Sequence, residues 1–360
     1  MEDSEYREGL YQLGMEAYET RCFREALKYW KEAAALGHIK SMVELGNMYG
    51  GGQGVKTNNR EAVKWYTKAA EAGDANVMFV LAFIYLTGQG IRKNIKKGIE
   101  WLKKSAESEC DYALFSLGER YLNGLDGLEK NVDEAIKLMN KAVELGNIEA
   151  MRTLAYLYAI GDDVNKNVEI SIELFTKAAI LGDTMSMNAL GKMYIDSDGV
   201  KENYPAAISW LTKAAMMGDV DAMRRLSILY AFDDKIERNE KEAIKWSSKA
   251  AKKDDVESML ILGTLYAFGE EKNGKKAIKW CTKAAKEGNV LSMCTLGKIY
   301  RDGEIVERDI KKAIKWYSKA AELGYEQANI HIGEIYLYGI GIEKNLEEAE
   351  KWFEKTDKTF

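Results

Sequence analysis

"NNREAVKWYTKAAEAGD", residues 58–74, returns nearly unchanged as "RDIKKAIKWYSKAAELGY", residues 308–325. Working outward from these stretches, one register holds all eight tryptophans. They are Trp30, Trp65, Trp101, Trp210, Trp246, Trp280, Trp316 and Trp352, in steps of 34 to 37 residues once Leu138 and Leu174 fill the two vacant places. A fixed period of this size marks a repeat array. A tyrosine ladder runs beside it, from Tyr49 through Tyr85, Tyr121 and Tyr158 to Tyr336. A third ladder, Asn58 to Asn345 with Asp309 in one place, precedes the Trp register by about seven residues.

Each ladder has a physical job. Asn or Asp caps a helix start, because its side-chain oxygen accepts from the first free amides. Alanine pairs such as Ala69–Ala70 and Ala250–Ala251 let helices approach closely. A Gly-Asp or Gly-Asn step, as at Gly73–Asp74 and Gly288–Asn289, is a helix stop. Leu and Tyr four apart make one apolar face of a preceding helix. Between the two helices lies a glycine-containing loop such as "GGGQGVKTN". Each unit is therefore helix A, loop, helix B. One such pair cannot bury both apolar faces, and stacking on its neighbours can. On this reading each indole fills the core between hairpins, and truncation to Ala costs about 3–5 kcal/mol.

The pattern A-x-x-x-L-G-x-x-Y-x-x-G, then K-N, then K-A-I-x-W-Y-x-K-A-A-x-x-G-D, resembles the Sel-one-like repeat family, longer-looped relatives of tetratricopeptide repeats. The resemblance covers nearly the whole chain. It implies an all-α fold, a right-handed α-solenoid of about ten helix-turn-helix repeats. It also implies a non-enzymatic scaffold or adaptor that binds a protein or peptide partner in a concave groove. Residues 1–37 are closer to a plain tetratricopeptide pair, 38–356 form nine Sel-one-like repeats in one continuous solenoid, and 357–360 are a C-terminal tail. Two loops depart from the family. "YAFDDKIERN" (230–239) lacks its glycines, and "YAFGEEKN" (266–273) is two residues short, so local superhelix geometry is least determined there. Some extracytoplasmic relatives carry a Cys pair in each repeat, a pattern this chain lacks.

Composition bounds the alternatives. The net charge of −5, from 57 acids against 52 bases, is no nucleic-acid signature. Pro205 is the only proline. Cys22, Cys110, Cys281 and Cys294 show no paired spacing, which fits a reducing compartment without disulfides or zinc. "MEDSEYREGL" has no secretory character, and no stretch approaches the ~18 apolar residues of a membrane span, so the expected location is cytoplasmic. His38 and His331 have no metal-ligand companion at helical spacing. No cofactor is expected, and the chain is expected as a monomer or in weak end-to-end association.

Two other functions stay open. A few relatives are linked to β-lactam or cell-wall-fragment binding and hydrolysis, but no Ser here has Lys three residues later, as that chemistry needs. The other is an anionic-surface binder. A lysine stands three residues after each Trp-register position from Lys68 and Lys104 to Lys319 and Lys355, and stacked helices would align these into a convex basic stripe.

The resemblance points to partner-binding positions on helix A, at −5, −2, +2 and +5 from its Leu. Around Leu81 these include Phe79 and Phe83; around Leu117, Tyr112, Phe115 and Glu119; around Leu154, Arg152 and Tyr156. Leu190 points to Asn188 and Lys192, Leu226 to Arg224, and Leu296 to Lys298 and Arg301. The aromatic members lie outside the repeating ladders. Aromatics beside arginines have the composition of a recognition hot spot, although inter-repeat packing would use the same residues.

Overall fold

The computed structural model describes residues 2–196 and 201–356. Among these every regular element is a helix, and the chain divides at Leu181–Gly182 into two compact units. The first holds five hairpins: α1 (Glu2–Glu19) with α2 (Phe23–Ala35), α3 (Ile39–Gly51) with α4 (Asn59–Glu71), α5 (Ala75–Thr87) with α6 (Ile95–Glu107), α7 (Asp111–Asn123) with α8 (Val132–Glu144), and α9 (Ile148–Ile160) with α10 (Val168–Ile180). The second holds five more: α11 (Thr184–Asp196) with α12 (Tyr204–Met216), α13 (Val220–Phe232) with α14 (Glu240–Ala251), α15 (Val256–Phe268) with α16 (Gly274–Lys286), α17 (Val290–Asp302) with α18 (Ile310–Glu322), and α19 (Glu326–Tyr338) with α20 (Leu346–Phe353). Odd-numbered helices are helix A and even-numbered ones helix B. The tail expected at 357–360 lies outside the described residues.

The capping ladder works as its chemistry requires. In α4 the Asn58 side chain accepts from the Glu61 amide at 3.1 Å, and Asn94, Asn131, Asn167, Asn203, Asn239, Asn273, Asp309 and Asn345 do the same for their helices. Each such cap contributes about 1 kcal/mol. The same residues close the hairpins. The backbone N–H of each cap donates to the carbonyl of the preceding ladder tyrosine, at 2.8 Å from Asn58 to Tyr49 and 3.0 Å from Asn345 to Tyr336. Two ladders that look independent in the sequence are thus two ends of one hydrogen bond.

That bond also holds in the two departing loops, from Asn239 to Tyr230 at 2.9 Å and from Asn273 to Tyr266 at 2.8 Å. What changes is the chemistry of the turn. Helices α3, α5, α7, α9, α17 and α19 end on a left-handed glycine, whereas Asp233 and Gly269 are extended. After α13 the Asp233 side chain accepts from the Lys235 amide at 2.9 Å, and after α15 the carboxylate of Glu240, the first residue of α14, takes over. It accepts from the amides of Glu270 at 2.8 Å and Glu271 at 3.1 Å, and pairs with Arg238 at 3.1 Å. Its side chain is almost wholly buried, so these donors offset the cost of desolvating a charge.

The tryptophan register needs correction. Trp30 is 1% exposed and sits under Gly14, but Trp65, Trp101, Trp210, Trp280, Trp316 and Trp352 are only half-buried. Trp246 is buried. In the later hairpins the residue that fills the core beneath helix A is the next one along: Leu102, Met139, Phe175, Leu211, Cys281 and Tyr317, each 1% exposed or less. The small residue of helix A makes room for it. A methyl group added at Gly297 would lie 2.6 Å from the Tyr317 ring, and one at Gly118 would lie 2.9 Å from Met139. Trp30 therefore belongs with Tyr66 and Tyr317, and Tyr29 takes the Trp-register place in the first hairpin. The alanine spacing shows the same offset: Ala33–Ala34 follow Trp30 by three and four residues, and Ala69–Ala70 follow Trp65 by four and five.

The lysine row finds its structural reason here. Lys68, Lys104, Lys213, Lys249, Lys283, Lys319 and Lys355 each lie over the ring of the tryptophan three residues earlier, at 3.4 to 5.3 Å from the centroid. One helical turn brings the ammonium onto the indole face, a cation–π contact. Where leucine replaces Trp at 174, Lys177 pairs with Glu173 at 2.7 Å instead.

Candidate functional site

Helix A carries the residues that the sequence nominates for partner binding. Its core side chains are spaced three and four apart, as in Met78, Leu81 and Ala82, which leaves the other face open. In the first unit, Phe83 is 51% exposed and Tyr112 is 55% exposed. Phe79 and Phe115 are half-buried, and Phe79 stacks on Tyr112 across one repeat with ring centroids 6.1 Å apart. Tyr156 is partly exposed and meets buried Phe175 edge-on at 4.9 Å. Glu119 lies between Phe83 and Tyr156 in repeat register. Burial pushes its carboxyl above the usual range, against the neighbouring Arg120 charge. Arg152 is half-buried. Leu86 and Leu122, at the +5 positions, are core.

In the second unit the nominated polar residues serve the stack itself. Asn188 donates at 2.9 Å to Asp219, the cap of α13. Arg224 pairs with Asp255, the cap of α15, at 2.8 Å, with Glu257 at 3.1 Å, and with Asp221 one turn away. Burial works against its charge, and these three carboxylates more than reverse that, raising its pKa. Lys192 is exposed.

Lys298 and Arg301 meet at an open cleft of about 460 Å³ on the A helices of the second unit. Its apolar walls are Phe232 of α13, Leu260 and Phe268 of α15, and Leu291 of α17, with Tyr317 and His331 beyond. Phe232 and Phe268 occupy the same place in successive repeats. The signal for them was present in the two "YAF" runs, each opening a departing loop, but those runs stood out for their missing glycines and length rather than for the phenylalanines. Cys294 also lines the cleft, and burial pushes its thiol up to about 11, so it is protonated at neutral pH. Buried Cys281 is raised to about 12.

The other titratable candidates are accounted for locally. His38 caps α3, its Nδ1 accepting from the Ser41 amide at 3.2 Å, with Nε2 3.1 Å from Glu8. His331 packs at a tilt against Tyr317, ring centroids 5.1 Å apart, and lies 3.4 Å from Glu334. Asp163 pairs with Lys130 at 2.6 Å. Among the described residues no three His, Cys, Asp or Glu side chains gather as metal ligands, and no helix is long and apolar enough to cross a membrane.

The comparisons with known proteins agree with this architecture. The Sel1 repeat model matches ten segments in succession: 7–38, 39–74, 75–110, 111–147, 148–183, 184–219, 220–255, 256–289, 290–325 and 327–356. Among solved structures, a Sel1 repeat protein from Oxalobacter formigenes is 32% identical, with a TM-score of 0.57, over 68% of this chain and 99% of that one. The protein c5321, a protective antigen of uropathogenic Escherichia coli with the same repeat fold, is 28% identical, with a TM-score of 0.52, over 98% of this chain and 84% of that one. No curated protein matches. Ten consecutive repeat matches on ten helical hairpins show that this chain belongs to the Sel1 repeat family.

Proposed function

We propose that the chain is a non-enzymatic scaffold that binds a partner protein or peptide on the A-helix face of its first unit. Sel1 repeats generally mediate protein–protein interaction, and this reading places that role on named residues. The observation that carries it is the exposure of Phe83 and Tyr112, aromatics outside every packing ladder, beside half-buried Phe79 and Phe115. Rigid aromatic area with a central desolvated portion is what partner surfaces use as anchors. The cation–π seats of the lysine row weigh against an anionic-surface role, because seven of its ammonium groups each have an indole to hold them. The test is capture of partners from extract by the wild-type chain and by a Phe83→Ser, Tyr112→Ser variant. Both side chains are at least half exposed, so helicity is expected to persist while capture is lost. Equal capture by a fully helical variant would overturn the assignment.

A further inference from the structure

The second-unit cleft is a different surface with a different chemistry. No carboxylate lines it. The charged groups that do are cationic. The Lys298 ammonium sits 4.6 Å over the Phe268 ring with no carboxylate in ion-pair range among the described residues. Arg301 is held through Nε by Asp302 at 2.8 Å, and its two terminal nitrogens donate to no described residue. Asp302 and Glu334 are the nearby acids. The first is turned to Arg301 Nε and the second lies 3.4 Å from His331, so neither covers Lys298. Of the hydroxyls at the cleft, that of Thr295 already donates to the Leu291 carbonyl at 2.9 Å, which leaves those of Thr264 and Tyr317 able to donate. The site is thus an apolar trough whose charged groups are the two cations Lys298 and Arg301.

We propose that this cleft binds a peptide segment of a partner protein that presents an internal Asp or Glu next to an apolar side chain. The apolar side chain seats between Phe232, Leu260 and Phe268, and the carboxylate meets Lys298 and the free edge of Arg301, whose planar fork suits a carboxylate. A segment crossing three A helices at about 10 Å spacing covers roughly 20 Å, or about six extended residues. The cleft continues past the cations to Tyr317 and His331, so the chain runs on beyond the carboxylate, which selects an internal acid over a terminal one. The inference rests on the scaffold reading, but on a unit and residues that the first-unit face does not use.

The experiment uses the full chain and its Lys298→Glu variant as baits for a displayed library of random peptides about twelve residues long, joined to carrier at both ends, enough to span the cleft. Lys298 is exposed, so the variant is expected to match wild-type far-UV circular dichroism. The wild-type chain is expected to enrich sequences with Asp or Glu beside an apolar residue. Amidated synthetic copies should lose about tenfold or more in affinity on Asp→Asn or Glu→Gln, on Lys298→Glu, and in high salt. Replacing the peptide acid by Lys should restore part of the binding to Lys298→Glu. Peptides without acidic bias, or peptides insensitive to Lys298→Glu yet lost with Phe83→Ser, overturn the cleft and leave the scaffold standing. Binding only by peptides with a free C-terminus overturns the internal acid. Enrichment of nothing by either bait overturns both readings.

Discussion

Tyr317→Ala should destabilise the second unit more than Trp316→Ala, although tryptophan is the larger side chain and the louder sequence signal. Tyr317 is 1% exposed, packed under Gly297 between α17 and α18. Removing a fully buried aromatic ring costs about 3–5 kcal/mol, part of it from the cavity left behind. Trp316 keeps part of its ring in water, so its truncation removes only a partial burial and leaves no closed cavity, about 2 kcal/mol. The Lys319 contact at 4.6 Å adds about 0.5 kcal/mol. The gap between the variants is then about 0.5–2.5 kcal/mol. A chain of stacked repeats need not unfold in one step, so the readout is native-state hydrogen exchange of amides in 290–322 rather than a single melting curve. Gly297→Ala supplies an internal control. Its new methyl would lie 2.6 Å from the Tyr317 ring, which predicts a loss of about 1–3 kcal/mol in the wild type and a smaller one in a Tyr317→Leu background. An equal or greater loss for Trp316→Ala, or strict additivity of Gly297→Ala with Tyr317→Leu, would refute the corrected register.

Other outcomes follow from the loops, the caps and the thiols. Glu240→Ala removes the charged acceptor of the Glu270 and Glu271 amides and should cost about 1–3 kcal/mol with faster exchange at those two amides, while Glu240→Gln keeps one acceptor and loses less. Unchanged exchange in both variants would mean the loop is held otherwise. Glu109 and Asp254 stand in left-handed backbone, φ 59° and 63°, where other repeats have glycine; Glu109→Gly and Asp254→Gly should each raise stability by up to about 1 kcal/mol in thermal denaturation. A fall in stability would show that side-chain contacts outweigh the strain. At pH 8, exposed Cys22 should react with a thiol reagent well before Cys281 or Cys294. The folded values of about 12 and about 11 exceed the ordinary thiol value near 8.5, so the unfolded chain ionises first. Their contribution to stability is whole below about pH 8.5 and is lost as pH rises through the folded values. Denaturation at pH 7 and pH 10 checks the sign.

How much was legible depended on whether a feature is local. The N-cap asparagines, the alanine pairs and the glycine stops act within a few residues, and a period set by them survives any neighbour; they announce twenty helices without coordinates. The same locality hid which aromatic is buried. Trp316 and Tyr317 are adjacent and both large, and on a helix adjacent residues point about 100° apart, so only the position of the neighbouring helix decides which one faces the core. Gly297, close beneath Tyr317, carries that information, but as an absence of side chain on another helix. The regular lysine row was visible for the same reason as the caps, since a lysine one turn after a tryptophan reaches its ring without help from any other repeat. Partner faces lie at the opposite extreme. Asn188 and Arg224 qualified by position and turn out to reach the capping carboxylates of the next repeat, a contact that requires the stacking distance. Phe232 and Phe268 qualified by no rule of the repeat, yet as the last residues of α13 and α15 they wall the cleft. Departures from a repeat's consensus therefore point to function only after the consensus itself has been separated into what closes a hairpin and what stacks it. In this chain the first part is written in Asn, Gly and Ala, and the second in the residue after tryptophan.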